Sequence, residues 1–313
     1  MFELQIFKNR TLKNYPFVKC ETIGYTHCER EINAFTIGGE NETVLYVGGV
    51  HGMEFITSRI LMRYFTTLCE HYKNCKKLNG YPIRSYLSNR GLTVIPCLNP
   101  DGAAVSLMGA AAVGEFAKLV NDLSGGNCRN WQANAVGVDI NHNFNADWDN
   151  VKKREREIGI TAPCPSRFGG EFPESEPETK AFTAYCRTGN AGRTGNAGRT
   201  DNAGRTDNAG RSHNIRHAIA FHSQGEEIYY TFGDKTPSRC YELASIMEKL
   251  SGYKLAEPVG TAVGGGLKDW LISELNIPAF TVEVGLGENP LPDEDLDLIY
   301  NRLEEMLTVM AIL

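Results

Sequence analysis

Long apolar runs are missing from this sequence: no stretch is long enough to span a bilayer. We expect no secretory leader either, because Met1-Phe-Glu-Leu-Gln-Ile-Phe-Lys-Asn-Arg10 carries Glu3 and has no apolar segment followed by a small-residue cleavage site. CxxC pairs are absent, and the nine cysteines are scattered and odd in number. Together these absences lead us to expect a reduced, cytoplasmic protein. Positive charge is in deficit, with 32 Lys and Arg against 38 Asp and Glu, a net charge of −6 and a pI near 5.7. Nothing here suggests nucleic acid or an anionic membrane as partner. What is present, 313 residues that are 42% hydrophobic and 22% charged, suits a globular protein with a large core, built as one α/β domain or two smaller ones.

The chain is organised around Val44-Leu-Tyr-Val-Gly-Gly-Val50 and the His51-Gly52-Met53-Glu54 that follows. The first half reads as a buried strand closed by glycines. Behind the second half, Phe55, Ile56, Ile60, Leu61, Tyr64, Phe65 and Leu68 recur at helical spacing. His51 therefore falls on the loop after the strand and Glu54 in the first turn of the helix. An imidazole and a carboxylate at that spacing can close on one cation, and zinc accepts both ligand types. A surface histidine beside a helix-starting glutamate is the bland alternative.

Elsewhere, residues 1 to 40 read as a lead-in with strand character, in which Thr22–Tyr25 and Ile32–Gly38 flank a polar turn at Cys28–Arg30. Residues 80 to 90 read as a polar connection. Leu92–Pro96 is a second buried strand, ending in the turn signal Asn99-Pro-Asp-Gly102. Residues 103 to 123 fit loop or helix equally. Gly137-Val-Asp-Ile reads as a short strand that delivers Asn141, His142 and Asn143. A helix starts at Ser175-Glu-Pro-Glu178 and runs through Tyr185. From 187 to 211 the hexapeptide Arg-Thr-Gly/Asp-Asn-Ala-Gly repeats without an aliphatic residue for each turn of a β-helix. We expect a disordered, low-complexity insert in a surface loop at 187–213. Ile215–Phe221 is a strand delivering His222. Helices follow near 237–250 and after the glycine-rich Gly264–Gly266. Ala279–Glu283 is a last strand, with a carboxylate where the pattern calls for an apolar residue, and 293–312 is the closing helix.

Strands alternating with helices imply a mixed or largely parallel sheet covered on both faces, with sites outside the strand carboxyl ends. His51, His222 and Glu283 all fall at or just beyond such ends, so one sheet edge can gather them. Two histidines and a glutamate (His51, Glu54, His222) make a three-ligand zinc site with an open position. Glu283, near the metal without ligating it, would take a proton from water and pass it to a leaving amine. The insert, entering before the strand that leads to His222, should emerge at the opposite edge.

At this point the sequence resembles the zinc carboxypeptidases related to carboxypeptidase A. The resemblance rests on His51-Gly-Met-Glu54, Asn99-Pro-Asp-Gly102, Gly137-Val-Asp-Ile-Asn141, His222-Ser and Thr281-Val-Glu283, and covers nearly the whole chain apart from the insert. It implies a three-layer αβα fold with a mixed eight-stranded sheet, in one catalytic domain over residues 1–313. It implies one Zn2+ ion per chain on His51, Glu54 and His222, with Glu283 as general base and Asn141 helping to hold a substrate carboxylate or polar group. Departures from the family pattern bear on substrate. Arginines that grip a terminal carboxylate or stabilise the oxyanion are replaced by Met53, His142 and Gln132, and a mobile tyrosine by Thr261. Neutral groups cannot supply the bidentate, charge-assisted grip of guanidinium, so ordinary C-terminal trimming is disfavoured.

A similar loss marks the γ-D-glutamyl-diamino acid peptidases of cell-wall peptides. His222–Tyr229, Gly265–Trp270 and Glu283–Pro292 resemble that bacterial subgroup. We expect Lys268 or His142 to meet a carboxylate of D-Glu or diaminopimelate, unless Lys268 is simply a solvated lysine at a helix start. Gln132 or His142 would assist the oxyanion. The expected reaction is hydrolysis of the γ-D-Glu–diaminopimelate bond of intracellular muropeptides. The rival readings are an ordinary metallocarboxypeptidase, an N-acyl amino acid deacylase, and a non-catalytic binding protein on the same scaffold.

Overall fold

The computed structural model describes residues 2–39, 41–189, 214–260 and 263–313. In chain order the strands are β1 (Lys19–Tyr25), β2 (Glu31–Gly38), β3 (Thr43–Val47), the two-residue β4 (Lys77–Leu78) and β5 (Tyr81–Pro82), β6 (Gly91–Ile95), β7 (Ile215–His222), β8 (Glu227–Tyr229), β9 (Lys254–Ala256) and β10 (Ala279–Glu283). The helices are α1 (Phe2–Asn14), α2 (Phe55–Lys73), α3 (Ile83–Tyr86), α4 (Pro100–Met108), α5 (Ala117–Ser124), α6 (Trp148–Glu157), α7 (Pro177–Gly189), α8 (Arg239–Ser251), α9 (Leu267–Leu275) and α10 (Leu296–Ile312).

Eight strands form one mixed sheet in the order β1-β2-β6-β3-β7-β10-β8-β9. Its centre, β6-β3-β7-β10, is parallel, and antiparallel pairings flank it at β2–β6 and at β10–β8. Alternation along the central strands splits the core in two. Val44 and Tyr46 of β3, Ile219 and Phe221 of β7, and Phe280 and Val282 of β10 face the layer that holds α2, α8 and α10. Leu45 and Val47, Ala218 and Ala220, and Ala279 face the layer that holds α7 and α9. Period-two strands buried on both faces are what a covered parallel sheet requires.

The α10 helix is pinned by polar side chains as well as by apolar contact. Tyr46 and Tyr64 donate their hydroxyls to the Leu307 carbonyl (2.7 and 3.1 Å). His217 Nε2 bonds the Met310 carbonyl at 3.0 Å, and burial holds this imidazole neutral, its pKa lowered to about 3.

Several sequence expectations are corrected. The lead-in opens with a helix rather than a strand. Phe2, Leu4 and Ile6 alternate in sequence like a strand, but Phe7 and Thr11, four residues apart, are the positions α1 buries. The connection at 80–90 contains β5 and α3, and residues 103–123 are mostly helical through α4, a 3-10 segment at Ala110–Phe116, and α5. Gly137-Val-Asp-Ile is not a strand. Asn134 Oδ1 accepts the N–H groups of Val136 and Val138 (3.1 Å each), so side chains take the bonds a neighbouring strand would have supplied. A 3-10 turn follows at Ile140–His142. The insert begins later than its repeat: residues 187–189 belong to α7, where Arg187 donates twice to Glu174 (2.9 and 2.8 Å). Repeat residues 190–213, and Thr261, lie outside the described residues. The insert rejoins the described chain at Asn214, whose carbonyl accepts the Thr43 N–H (2.9 Å) at the amino end of β3 and β7. That is the far end of the strand that delivers His222.

Candidate active site

Three motifs lock together to present His51 and Glu54. After β3 the chain turns through Gly48–Val50 to His51, then through the 3-10 turn Gly52–Glu54 into α2. Asn99, the N-cap of α4, accepts the Gly102 N–H (2.8 Å) and donates Nδ2 to the carbonyls of Val50, Gln132 and Ala133 (3.2 Å each). The backbones meet so closely that a Cβ on Gly52 would lie 2.4 Å from Gly102, and one on Gly102 would lie 2.2 Å from the Ala133 carbonyl. The Asn99–Gly102 turn is thus a brace between the His51 loop and the Trp131-Gln132 loop.

Parallel pairing delivers the other groups. Glu283 of β10 stands in register with His222 of β7, and on its other side with Glu227 of β8. His51 Nδ1 lies 2.9 Å from Glu54 Oε1, His222 Nδ1 lies 3.1 Å from Glu54 Oε2, and the two Nδ1 atoms are 3.3 Å apart. Ligands held about 2.0–2.1 Å from a tetrahedral zinc are themselves roughly 3.4 Å apart, so the spacing fits zinc. Burial opposes charge here, but the Glu54 and Asp139 carboxylates outweigh it and hold the His51 pKa well above its ordinary value. Burial would likewise raise Glu54, yet the two histidines hold it below the usual carboxylate range. The buried group is therefore organised around one positive centre, and a metal cation can replace the proton there.

Asp139 is the residue that sequence reasoning quoted within a motif but gave no role. Fully buried, it lies 3.3 Å from His51 Nε2 and accepts the backbone N–H groups of Asn141 (3.1 Å) and Arg167 (2.9 Å). A carboxylate behind a ligating imidazole fixes the ring and raises its basicity. The buried acid in Gly-Val-Asp was the signal for it.

Glu283 is half-buried. Its pKa is raised well above normal, first by burial and then by the Glu54 and Glu227 carboxylates, against the opposing influence of His51. A carboxyl tuned upward in this way holds a proton more readily than an ordinary glutamate, as a group that receives and returns protons must.

These groups open on a cavity of about 230 Å³ that is also lined by Gln132, Asn141, His142, Arg167, Tyr229 and Lys268. All the sequence-derived site residues therefore border this cavity except Glu54, which is buried against His51 and His222. Asn141 Oδ1 accepts the Leu267 N–H (3.0 Å), anchoring the start of α9 and leaving Nδ2 as the donor of that amide. His142 Nδ1 faces Glu155 Oε1 at 3.4 Å. Lys268 is not the solvated lysine of the bland alternative. It is buried, donates to the Thr231 carbonyl (2.6 Å), and is ion-paired with Asp269.

A model of the zinc carboxypeptidase family matches residues 5–305. The chain belongs to this family and is a zinc metallopeptidase. It is 29% identical over 294 residues to gamma-D-glutamyl-L-diamino acid endopeptidase 1 of Lysinibacillus sphaericus, an alignment covering 92% of this chain and 66% of that protein. It is 28% identical over 299 residues to the uncharacterized protein YqgT of Bacillus subtilis, covering 94% and 72% of the two chains. The chain thus spans about two thirds of the length of these relatives. The structure of bovine thrombin-activatable fibrinolysis inhibitor, in complex with a tick carboxypeptidase inhibitor, superposes with a TM-score of 0.68 at 19% identity, over 99% of this chain and 94% of that one. This likeness supports the fold. Among the described residues, no helix is long and apolar enough to cross a membrane.

Proposed function

We propose that this metallopeptidase hydrolyses the γ-D-Glu–diaminopimelate amide of peptidoglycan-derived peptides. One observation carries the reading: the metal-binding group and Glu283 share a sheet edge, while the positions that would grip an ordinary C-terminal carboxylate hold Met53, Gln132 and His142. The relative that acts on γ-D-glutamyl-diamino acid bonds supports it. Nine cysteines, all free, support a reducing compartment and so a substrate of recycled fragments.

His51, Glu54 and His222 would hold the zinc ion, which when bound supplies Lewis acidity toward the scissile carbonyl and the attacking water. Asp139 keeps the His51 ring in its ligating orientation. Glu283 takes the proton of the attacking water and returns it to the amine of diaminopimelate as the amide breaks, and its raised pKa suits both transfers. Gln132 is the neutral donor for the developing oxyanion, and Asn141 Nδ2 orients the substrate. Lys268, already neutralised by Asp269, shapes the wall beside α9 instead of meeting a carboxylate directly.

The test is hydrolysis of L-Ala-γ-D-Glu-meso-diaminopimelate by zinc-loaded protein, read by mass spectrometry, beside a blocked dipeptide with a C-terminal aromatic residue. Release of diaminopimelate, lost in Glu283→Gln, is the expected result. Cleavage of the aromatic dipeptide alone would replace this reading with ordinary carboxypeptidase activity.

A further inference from the structure

The missing arginines leave a question of charge: which group receives the carboxylates of so acidic a peptide? Lys268 is committed to Asp269 and the Thr231 carbonyl, and His142 faces Glu155. Among the residues lining the cavity, Arg167 is the remaining cation outside the metal-binding group. It is exposed, and among the described residues its guanidinium makes no hydrogen bond or ion pair.

Its backbone, by contrast, is firmly held. The Arg167 N–H donates to Asp139 Oδ2 (2.9 Å), the neighbouring Phe168 carbonyl accepts the Asp139 N–H (2.8 Å), and the Pro165 carbonyl accepts the N–H groups of Gln132 and Ala133 (3.0 Å each). The φ of Arg167 is +69°, a left-handed conformation that is uncommon for a residue with a side chain. Such backbone persists where the surroundings over-determine it, and it clusters at ligand clamps. A charged side chain fixed at its root and free at its tip, on the wall that carries Gln132 and the Asp139 partner of His51, has the build of an anion receptor. Guanidinium matches carboxylate with two parallel hydrogen bonds.

We propose that Arg167 is the substrate-carboxylate anchor of this site and that its ligand is the free α-carboxylate of a γ-linked D-glutamyl residue. The proposal rests on the γ-D-glutamyl peptidase reading. In an α-linked peptide that carboxyl is consumed in the amide, whereas in a γ-linked one it remains free on the acyl side of the scissile bond. One guanidinium on the Gln132 wall therefore selects γ-linked over α-linked substrates without any arginine at positions 53, 132 or 142.

The experiment compares L-Ala-γ-D-Glu-meso-diaminopimelate with the same peptide carrying D-isoglutamine, whose α-carboxyl is amidated. Wild type should favour the free carboxylate by about 10- to 100-fold in kcat/KM, mainly through KM. Arg167→Gln should erase that preference by slowing only the free-carboxylate substrate, and Arg167→Lys should restore part of it. Calorimetric binding of both peptides to zinc-loaded Glu283→Gln, with and without Arg167→Gln, reads the same preference without turnover. If wild type cleaves both peptides and Arg167→Gln leaves their ratio unchanged, the anchor is overturned while the peptidase reading stands. If neither is cleaved but the binding preference exists and needs Arg167, the anchor stands and the reaction assignment falls. If neither peptide binds, both fall.

Discussion

Among the described residues, two groups of one kind bring ligand atoms within 4.8 Å of one another: His51, Glu54 and His222, and His27, Glu176 and Glu178. The first holds two histidines and one glutamate, the second one histidine and two glutamates, but the distribution of donors separates them further. In the first, two imidazole nitrogens and a carboxylate converge on one point, with Asp139 behind His51. In the second, neighbouring donors already serve three of the four carboxylate oxygens. Asn134 Nδ2 reaches both Glu176 (2.7 Å) and Glu178 (3.3 Å), its orientation fixed by the two N–H groups on its oxygen. His27 and Ser175 serve Glu176 as well (2.9 and 2.6 Å). Burial, reinforced by Glu176 and Asp101, pushes Glu178 up to about 8, so at neutral pH it carries a proton. Its Oε1 has no partner among the described residues, which a neutral carboxyl tolerates better than an ion does. The lesson is that histidine and glutamate in proximity can hold a metal only where their ligand atoms converge on one another and no outside donor has claimed them.

The comparison can be broken or sharpened in four ways. Glu283→Gln should lower kcat on the proposed γ-D-glutamyl substrate by about 10²–10⁴-fold while zinc content stays at one per chain, as read by elemental mass spectrometry. His222→Ala should empty the metal site and abolish activity. His27→Ala should leave zinc content and turnover unchanged, and metal loss there would erase the distinction between the clusters. Asp139→Asn should weaken zinc affinity by about 10- to 100-fold, measured by competition with a chelator, with the fold retained.

The smallest effect concerns stability. A carboxyl whose folded pKa is raised stabilises the fold fully below its unfolded value near 4.5, and that contribution is lost as pH rises toward about 8. His27, raised chiefly by its hydrogen bond to Glu176, acts in the same sense. Glu178→Gln should therefore flatten the fall of Tm across this window by several degrees, with activity unchanged. An unaltered Tm profile would show that Glu178 does not titrate as its burial implies.

Much of this was legible in the residues. The apolar run at Val44–Val47 and the polar interruption at Glu283 marked strand ends, and alternation with helices placed them on one edge. Where the sequence misled, side chains had taken over the work of backbone pairing, as Asn134 does near Gly137, or a strand-like alternation sat on a helix, as at Phe2–Ile6. Lys268 was legible as a cation beside the site but not as a cation already paired, because its neighbour Asp269 turns inward only once α9 is packed.

By itself, the sequence determined the identity of the chemical groups: an imidazole and carboxylate three residues apart, a second imidazole and a carboxylate at later strand ends, and neutral residues where arginines would bind a C-terminus. Local spacing and strand periodicity suffice for the first of these, and the resemblance to the zinc carboxypeptidases for the missing arginines. Tertiary structure alone decided which of two His–Glu clusters brings its ligand atoms to one point free of outside donors, which buried acid stands behind His51, and which cation of the cavity has no counter-ion among the described residues. Those are properties of distance, burial and competing donors, and they exist only after distant segments have met.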